Sequence, residues 1–225
     1  MKYEIIGGNL PAVICKLTKG EHIICEGGGM SWMDDVFTMS TSGGGAKKMF
    51  GKLLSGESMF QNTYTANADG EIAFASSFPG QILAIELDGG KSIVAQKKAF
   101  LASEGTVNMS VFFQKKLSGG FFGGEGFIME KFSGKGMVFL EVDGSIKEYT
   151  LAAGERKIME TGHLVMMDET CSLSVERIKG AKNMLLGGEG LFNTVVTGPG
   201  RIVIQTMPIS KTAELISDFI PKSGS

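Results

Sequence analysis

Three glutamates that each follow a glycine are the most conspicuous polar groups of this sequence. A functional interpretation would gather the three carboxylates around one axis, where they would suit calcium or magnesium, although six or so oxygen ligands are needed. A structural interpretation gives each glycine a turn with positive φ and lets each glutamate accept hydrogen bonds from turn amides. Repetition favours the structural interpretation, because a fold element must be rebuilt in every copy. The predicted turn residues are Gly56, Glu57, Gly124, Glu125, Gly188 and Glu189.

Aspartates form a second candidate set for chemistry. Asp34, Asp35 and Asp168 invite an acid–base interpretation, which requires two carboxyl groups with separated pKa values in one cleft. Asp34 and Asp168 each follow a methionine and occupy equivalent positions of a repeated motif. We therefore predict that they are turn residues, and we assign no catalytic residue.

Histidine and cysteine are too few and too scattered for a metal site. Neither His22 nor His163 belongs to an HxH pair, and the three cysteines, Cys15, Cys25 and Cys171, have no CxxC spacing. Zinc needs about four convergent ligands, or three and a water molecule. We predict three buried, reduced thiols and no metal or other cofactor. A cysteine–histidine nucleophile pair stays open, because only spatial proximity would reveal it.

The elements that carry these groups repeat along the chain. The glycines at 56, 124 and 188 anchor three similar segments, at intervals of 68 and 64 residues. A second motif, 17–21, returns at 151–155, and a degenerate middle copy begins at Gly90-Lys91. Repetition at such regular spacing predicts copies of one structural unit.

Strand patterns within the repeats predict an all-β fold. Leu83, Ile85 and Leu87 alternate with polar or small residues, and Asp88-Gly89 follows as a turn. Many short strands with glycine-rich turns indicate a sandwich or a barrel-like roll. We predict a single domain over 1–225, with repeats at about 17–86, 87–150 and 151–209.

Two segments depart from the strand pattern. Residues 46–54 could be helical, and residues 210–221 predict a short C-terminal amphipathic helix. Ser210 is its predicted N-cap, and Ala213, Ile216 and Ile220 share one face. That face would pack on its own subunit or on a neighbour.

Apolar doublets next to the anchor glycines are candidates for an interaction face. Near-equivalent positions would bring the doublets together at one end of the molecule, beside lysines 47, 48, 52, 115 and 116. They would either be core or form an apolar face for self-association, a partner or a membrane surface. Trp32 is likewise a core or interface anchor. The doublets are Leu53, Leu54, Phe121, Phe122, Leu185 and Leu186.

Composition narrows the class of partner. The net charge is -2 and the isoelectric point is about 5.8, whereas nucleic-acid binders usually carry a basic excess. The first residues lack the pattern of a signal peptide, and no window holds the ~18 apolar residues of a membrane span. The expected location is the cytoplasm.

Several motifs resemble one known family. Residues 5–11, the glycine–methionine segment at 26–34, and the blocks at 188–192 and 197–200 are similar to the Aim-twenty-four mitochondrial biogenesis family, over nearly the whole chain. The resemblance implies a double-stranded β-helix related to the tryptophan RNA-binding attenuation protein, with pseudo-three-fold symmetry. It supplies no catalytic residue, and the mitochondrial location of eukaryotic members does not carry over without a presequence.

Three functions follow as hypotheses. The first is an interaction or scaffold protein that acts as a symmetric homo-oligomer, a trimer or a larger ring. The second is nucleic-acid binding, by analogy of fold. The third is an enzyme or small-ligand binder that uses Cys25, His22 or His163. The absence of a convincing catalytic set favours the first hypothesis.

Overall fold

The computed structural model describes residues 1–42, 61–115, 126–177, 192–217 and 219. Several predictions fall outside these residues, namely the three glycine–glutamate turns, the three apolar doublets and the helix at 46–54. The residues concerned in the turns and doublets are Gly56, Glu57, Gly124, Glu125, Gly188, Glu189, Leu53, Leu54, Phe121, Phe122, Leu185 and Leu186.

The described residues are mostly β-strand, arranged in several sheets, with one short C-terminal helix, as the sequence predicts. The strands are β1 (Lys2–Ile6), β2 (Ala12–Leu17), β3 (His22–Glu26), β4 (Trp32–Met33), β5 (Phe37–Ser42), β6 (Gln61–Ala66), β7 (Gly70–Ala75), β8 (Gly80–Asp88), β9 (Ile93–Gln96), β10 (Phe100–Glu104), β11 (Val107–Lys115), β12 (Phe127–Asp143), β13 (Ile146–Leu151), β14 (Arg156–Glu160), β15 (Leu164–Asp168), β16 (Ser172–Arg177), β17 (Phe192–Thr197) and β18 (Gly200–Gln205). The helix is α1 (Ile209–Ser217).

Contacts within the chain divide it into two compact units. Unit 1 is Met1–Ser92, Lys97–Ser110 and Lys131–Val142. Unit 2 is Ile93–Gln96, Val111–Glu130 and Asp143–Ser225. The predicted division into three repeats stays a prediction.

The first sheet of unit 1 is antiparallel, with the strand order β1-β2-β7-β4. Val13 and Cys15 of β2 are buried on its inner face, where Val13 lies opposite Phe74. The alternate residues of β2, Ile14 and Lys16, point to the outer face. The period of two in the sequence therefore decides which side chains enter the core.

The second sheet of unit 1 has the order β12-β10-β3-β6-β5. Ile23 and Cys25 of β3 point into the same core as the inner face of the first sheet. The buried members of this core are Val13, Cys15, Leu17, Ile23, Cys25, Tyr64, Ala66, Ile72, Phe74, Ile82, Leu101, Ala102 and Phe139.

Unit 2 contains a sheet with the order β13-β18-β15-β9 and a smaller one with the order β14-β17-β16. Its core is built by the same alternation, since Tyr149 lies opposite Ile202 and Leu151 opposite Gly200. The buried members are Val94, Phe127, Met129, Leu151, Leu164, Met167, Cys171, Val175, Val196 and Ile202.

Helix α1 begins one residue before the predicted N-cap. Ser210 lies inside its first turn, and the N–H of Ile209 donates instead to Asp143 Oδ2 at 2.8 Å. The cap comes from the end of β12, so it was not visible in the local sequence. Ala213 and Ile216 are exposed, and the helix buries none of its residues against the chain. Packing of its predicted face on its own subunit is therefore wrong for these two residues.

Two tight turns with the same sequence pattern have the same hydrogen bonds. Gly20 and Gly154 have φ of 90° and 76°, a backbone conformation that favours glycine. The following Glu21 accepts a hydrogen bond from the N–H of Thr18 at 2.7 Å. Glu155 accepts one from the N–H of Ala152 at 2.9 Å. The carboxylate of each turn is thus occupied by backbone of the same turn.

Candidate functional site

The three thiols are buried, as predicted, and poorly suited to nucleophilic chemistry. Burial raises the pKa of Cys15 to about 12 and that of Cys25 to about 11, while burial also raises the pKa of Cys171. The thiolate is the reactive form, so a thiol that stays protonated at neutral pH is a weak nucleophile. The cysteines therefore act as small core side chains.

The open hypothesis of a Cys25–His22 pair does not survive the geometry. Both residues lie on β3, three positions apart, so their side chains point to opposite faces of the strand. Cys25 points into the core, whereas His22 is exposed at a cavity of about 230 Å³ and its ring lies against Gly105. A pair that shares no face cannot transfer a proton directly.

The carboxylates that line this cavity already accept hydrogen bonds. Glu104 accepts one from the N–H of Met137 at 2.7 Å and is 3.1 Å from the amino group of Met1. Glu21 is bonded to its own turn. The hydroxyl of Thr106 donates to the carbonyl of Lys135 at 2.6 Å. The cavity is thus lined by groups that hold loops together.

His163 lies in unit 2, where its ring also has a structural contact. Its Nδ1 is 2.8 Å from the carbonyl oxygen of Gln205, and its Nε2 is 3.9 Å from Glu160. Glu160 also forms an ion pair of 2.9 Å with Lys211 of helix α1. This arrangement connects β14, β18 and α1.

Asp34 and Asp168 are turn residues, as predicted, and each orders the backbone of a neighbouring strand. In each case one carboxylate oxygen accepts the N–H of the residue that follows a glycine at the start of a strand. A third similar bond, from the N–H of Met137 after Gly136 inside β12, was missed because its acceptor is a glutamate, Glu104. The three bonds are Asp34–Glu71 at 2.8 Å, Glu104–Met137 at 2.7 Å and Asp168–Arg201 at 2.8 Å.

The signal for Glu104 was present in the spacing. It follows Asp34 by 70 residues and precedes Asp168 by 64, the same intervals that separate the copies of the second motif. Among the described residues, no group of three or more histidine, cysteine, aspartate or glutamate side chains is placed to hold a metal ion. The carboxylates of Asp34, Glu104 and Asp168 each order the backbone of a strand.

Exposed apolar side chains, in contrast, gather on the first sheet of unit 1. Its register places Ile6, Ile14 and Trp32 on one face, which we call the outer face, together with the charged residues Lys16 and Glu71. Trp32, the only tryptophan of the chain, is 48% exposed and lies opposite the small, buried Ala73. Trp32 is therefore a surface side chain, so its predicted core role is wrong, and its role as an interface anchor stays a prediction.

The segment that carries Trp32 is held in place by backbone bonds. The N–H of Ser31 donates to the carbonyl of Ala73 at 2.9 Å, and its hydroxyl accepts the N–H of Ala75 at 2.9 Å. The N–H of Asp34 donates to the carbonyl of Glu71 at 3.0 Å. A tryptophan on a fixed segment loses little conformational freedom on binding, which favours it as an interface anchor.

The opposite edge of the same sheet is strand β1. All five of its residues are exposed, and it pairs with β2 in one unbroken register from Lys2 to Ile6. Tyr3 and Ile5 share the inner face, where the Tyr3 ring meets Phe139 edge-on at 5.0 Å. An exposed edge strand offers unpaired backbone groups to another strand.

Membrane spanning by a helix finds no support in the described residues, since none of their helices is long and apolar enough.

Comparison with known proteins agrees with the resemblance seen in the sequence. An uncharacterized protein of Streptococcus pyogenes serotype M6 is 31% identical over 224 residues, which cover 95% of this chain and 88% of the relative. A crystal structure of another Streptococcus pyogenes protein, 28% identical, superposes with a TM-score of 0.81 and covers 97% of this chain and 99% of its own. The model of the AIM24 (Aim-twenty-four) family matches residues 3–207. The chain therefore belongs to the mitochondrial biogenesis AIM24 family.

Proposed function

We propose that this protein is a non-enzymatic interaction or scaffold protein that acts as a homo-oligomer. One observation carries the proposal: both edge strands of the first sheet bear large, exposed apolar side chains. Tyr3, Ile5 and Ile6 are between 40% and 43% exposed on β1, and Trp32 is 48% exposed on β4. Exposed aromatic and aliphatic groups on edge strands suit contacts with another chain.

Several polar side chains support this function because they already hold the fold together. The carboxylates of Asp34, Glu104 and Asp168 accept backbone hydrogen bonds, and the thiols of Cys15 and Cys25 lie in the core. Groups that are bonded or buried in this way serve the fold. The side chains that remain available at the surface of the first sheet suit binding.

The same groups support the finer architecture that we propose for the chain, an internal pseudo-three-fold arrangement of a double-stranded β-helix. One carboxylate–amide bond occurs three times, at intervals of 70 and 64 residues along the accepting side chains. A device that is repeated at the interval of the sequence motif argues for a shared ancestral unit.

The proposal is tested by the molar mass in solution, measured by light scattering behind a size-exclusion column from about 1 to 100 micromolar. We expect a mass of two or more chains that approaches the monomer on dilution. The sequence predicted a trimer or a larger ring, and the mass decides that number. A single-chain mass at every concentration would contradict the proposed function.

A further inference from the structure

We propose that two copies of this chain join by antiparallel pairing of their β1 strands, about a two-fold axis that passes beside Tyr3. This inference deepens the proposed function and rests on it. Three observations support it: the regular geometry of β1, the charges on β1, and the short length of β4 at the other edge of the sheet.

The edge is suited to strand addition. β1 ends the order β1-β2-β7-β4 of the described residues, and all five of its side chains are exposed. Its pairing with β2 shows no shift between Lys2 and Ile6, so the strand is regular over its whole length. Of the features that blunt free edges, β1 lacks a proline and a bulge, and its two charged residues, Lys2 and Glu4, are of opposite sign. A regular exposed edge is the surface that an added strand pairs with.

Charge selects the register of the added strand. With the axis at Tyr3, Lys2 of each copy lies directly opposite Glu4 of the other, and the two Tyr3 rings are neighbours. Residues directly opposite in an antiparallel pair share a face, so both Lys–Glu pairs would form on the outer face. An axis at Glu4 would instead place the two Glu4 carboxylates opposite each other, which is unfavourable. The first register therefore satisfies both charges of the strand.

The chain itself leaves Lys2 facing a like charge. Across the β1–β2 pair, Lys2 lies opposite Lys16, and Lys16 is paired with Glu71 at 2.9 Å. Glu4 lies opposite the apolar Ile14. A second β1 strand would bring Glu4 to Lys2 on the side away from Lys16. The charges of β1 are thus complementary to those of another β1 strand.

The other edge of the sheet is a poorer partner. β4 has two residues, Trp32 and Met33, whereas an axis at Tyr3 aligns three residues of β1, Lys2 to Glu4, with the same three of the second copy. A head-to-tail ring that paired β1 with β4 would form fewer backbone hydrogen bonds than a β1–β1 pair. The two-fold contact has the consequence that any assembly containing it holds an even number of chains.

Charge reversal tests the pairing directly. The variants Lys2→Glu and Glu4→Lys each turn two attractive pairs into repulsive ones, and we expect each to raise the dimer dissociation constant about tenfold or more. An equimolar mixture should restore the dimer, because β1 then carries two negative charges in the first variant and two positive charges in the second. Lys2→Glu also places an opposite charge across from Lys16, so loss of the fold is not expected.

Matched controls reverse the same charges elsewhere in unit 1. Lys91→Glu and Glu86→Lys change net charge equally at exposed positions and should leave the dissociation constant within about twofold of the unmodified chain. Circular dichroism of every variant checks the fold. Glu4→Gln separates the two registers, since it weakens an axis at Tyr3 and strengthens an axis at Glu4.

Restoration of the dimer only in the mixture, with weakening by Glu4→Gln, supports the β1 pair. A mass of three chains, or an even-numbered assembly that does not respond to either reversal, overturns the β1 pair and leaves the proposed self-association standing. A stronger dimer in Glu4→Gln overturns the register with its axis at Tyr3. A monomer at all concentrations overturns both the pair and the proposed function.

Discussion

Two regions with the same local pattern differ in what they expose. Trp32 in unit 1 and Met166 in unit 2 each precede a methionine and an aspartate, and each pairs with a strand that begins at a glycine. Trp32 lies opposite Ala73 and is 48% exposed. Met166 lies opposite Val203 and is 1% exposed.

The next strand explains the difference. β15 is flanked by β18 on one side and by β9 on the other, where Met166 lies opposite Ala95. Among the described strands, β4 ends the first sheet. Met166 therefore has a neighbouring strand on both sides, whereas Trp32 has one on a single side. An edge position with a large aromatic side chain is the feature of unit 1 on which the proposed interface rests.

The largest expected effect is on stability at the buried position. Met166→Ala leaves a cavity in a filled core and should lower the free energy of unfolding by about 2–5 kcal/mol. Trp32→Ala removes a half-exposed side chain and should cost less than half as much. Urea denaturation followed by circular dichroism measures both, since the second variant has no tryptophan. Equal losses of unfolding free energy in the two variants would contradict the conclusion that Met166 is buried and Trp32 is exposed.

A middle-sized effect is expected at the two matched aspartates. Asp168→Ala leaves the partly buried N–H of Arg201 without its acceptor and should cost about 1–3 kcal/mol. Asp34→Ala removes the equivalent bond to Glu71, which is exposed to water, so about 0.5–1 kcal/mol is expected. Thermal and urea unfolding compare the two. A larger loss at Asp34 would mean that unit 1 depends on this bond more than its exposure implies.

A smaller effect is expected from pH. In unit 1 burial raises the pKa of Cys15 to about 12 and that of Cys25 to about 11, from an ordinary value of 9.0. The unfolded chain therefore loses thiol protons first, and stability falls as the pH rises above 9. At pH 9.5 each thiol accounts for about 0.8 kcal/mol.

Cysteine variants in the two units test whether the buried thiols cause this loss of stability at high pH. Cys15→Val should flatten the decline in unfolding free energy between pH 8 and 10, because the valine has no proton to lose. Cys171→Val is the matched change in unit 2. Unfolding in urea at several pH values measures both slopes. A decline that is unchanged in Cys15→Val would show that its thiol is not responsible.

Much of the fold could be predicted because its determinants are local. The alternation of apolar and polar residues along β2 and β7 decides which side chains face the core. Gly20 lies in a turn with positive φ, a conformation that favours glycine. The aspartates at 34 and 168 were predicted as turn residues, because they repeat with the motif. Such features depend on a few neighbouring residues, so spacing and residue type are enough.

The remaining features depend on strands distant in sequence. The residues around Trp32 do not indicate that β4 lies at the end of the described sheet, whereas β15 lies between β18 and β9. The cap of α1 comes from Asp143, which is 66 residues before Ile209. Glu104 was missed because a glutamate replaces the expected aspartate. Edge strands and distant caps follow from strand order, and residue spacing does not encode strand order.

The most direct test of the central claim is hydrogen–deuterium exchange, measured by mass spectrometry at protein concentrations above and below the dissociation constant. If β1 is the contact between copies, the amides of residues 2–5 should gain protection in the assembled state, whereas the segment of Trp32 should exchange equally in both. Exchange of β1 that does not change on assembly would contradict the account.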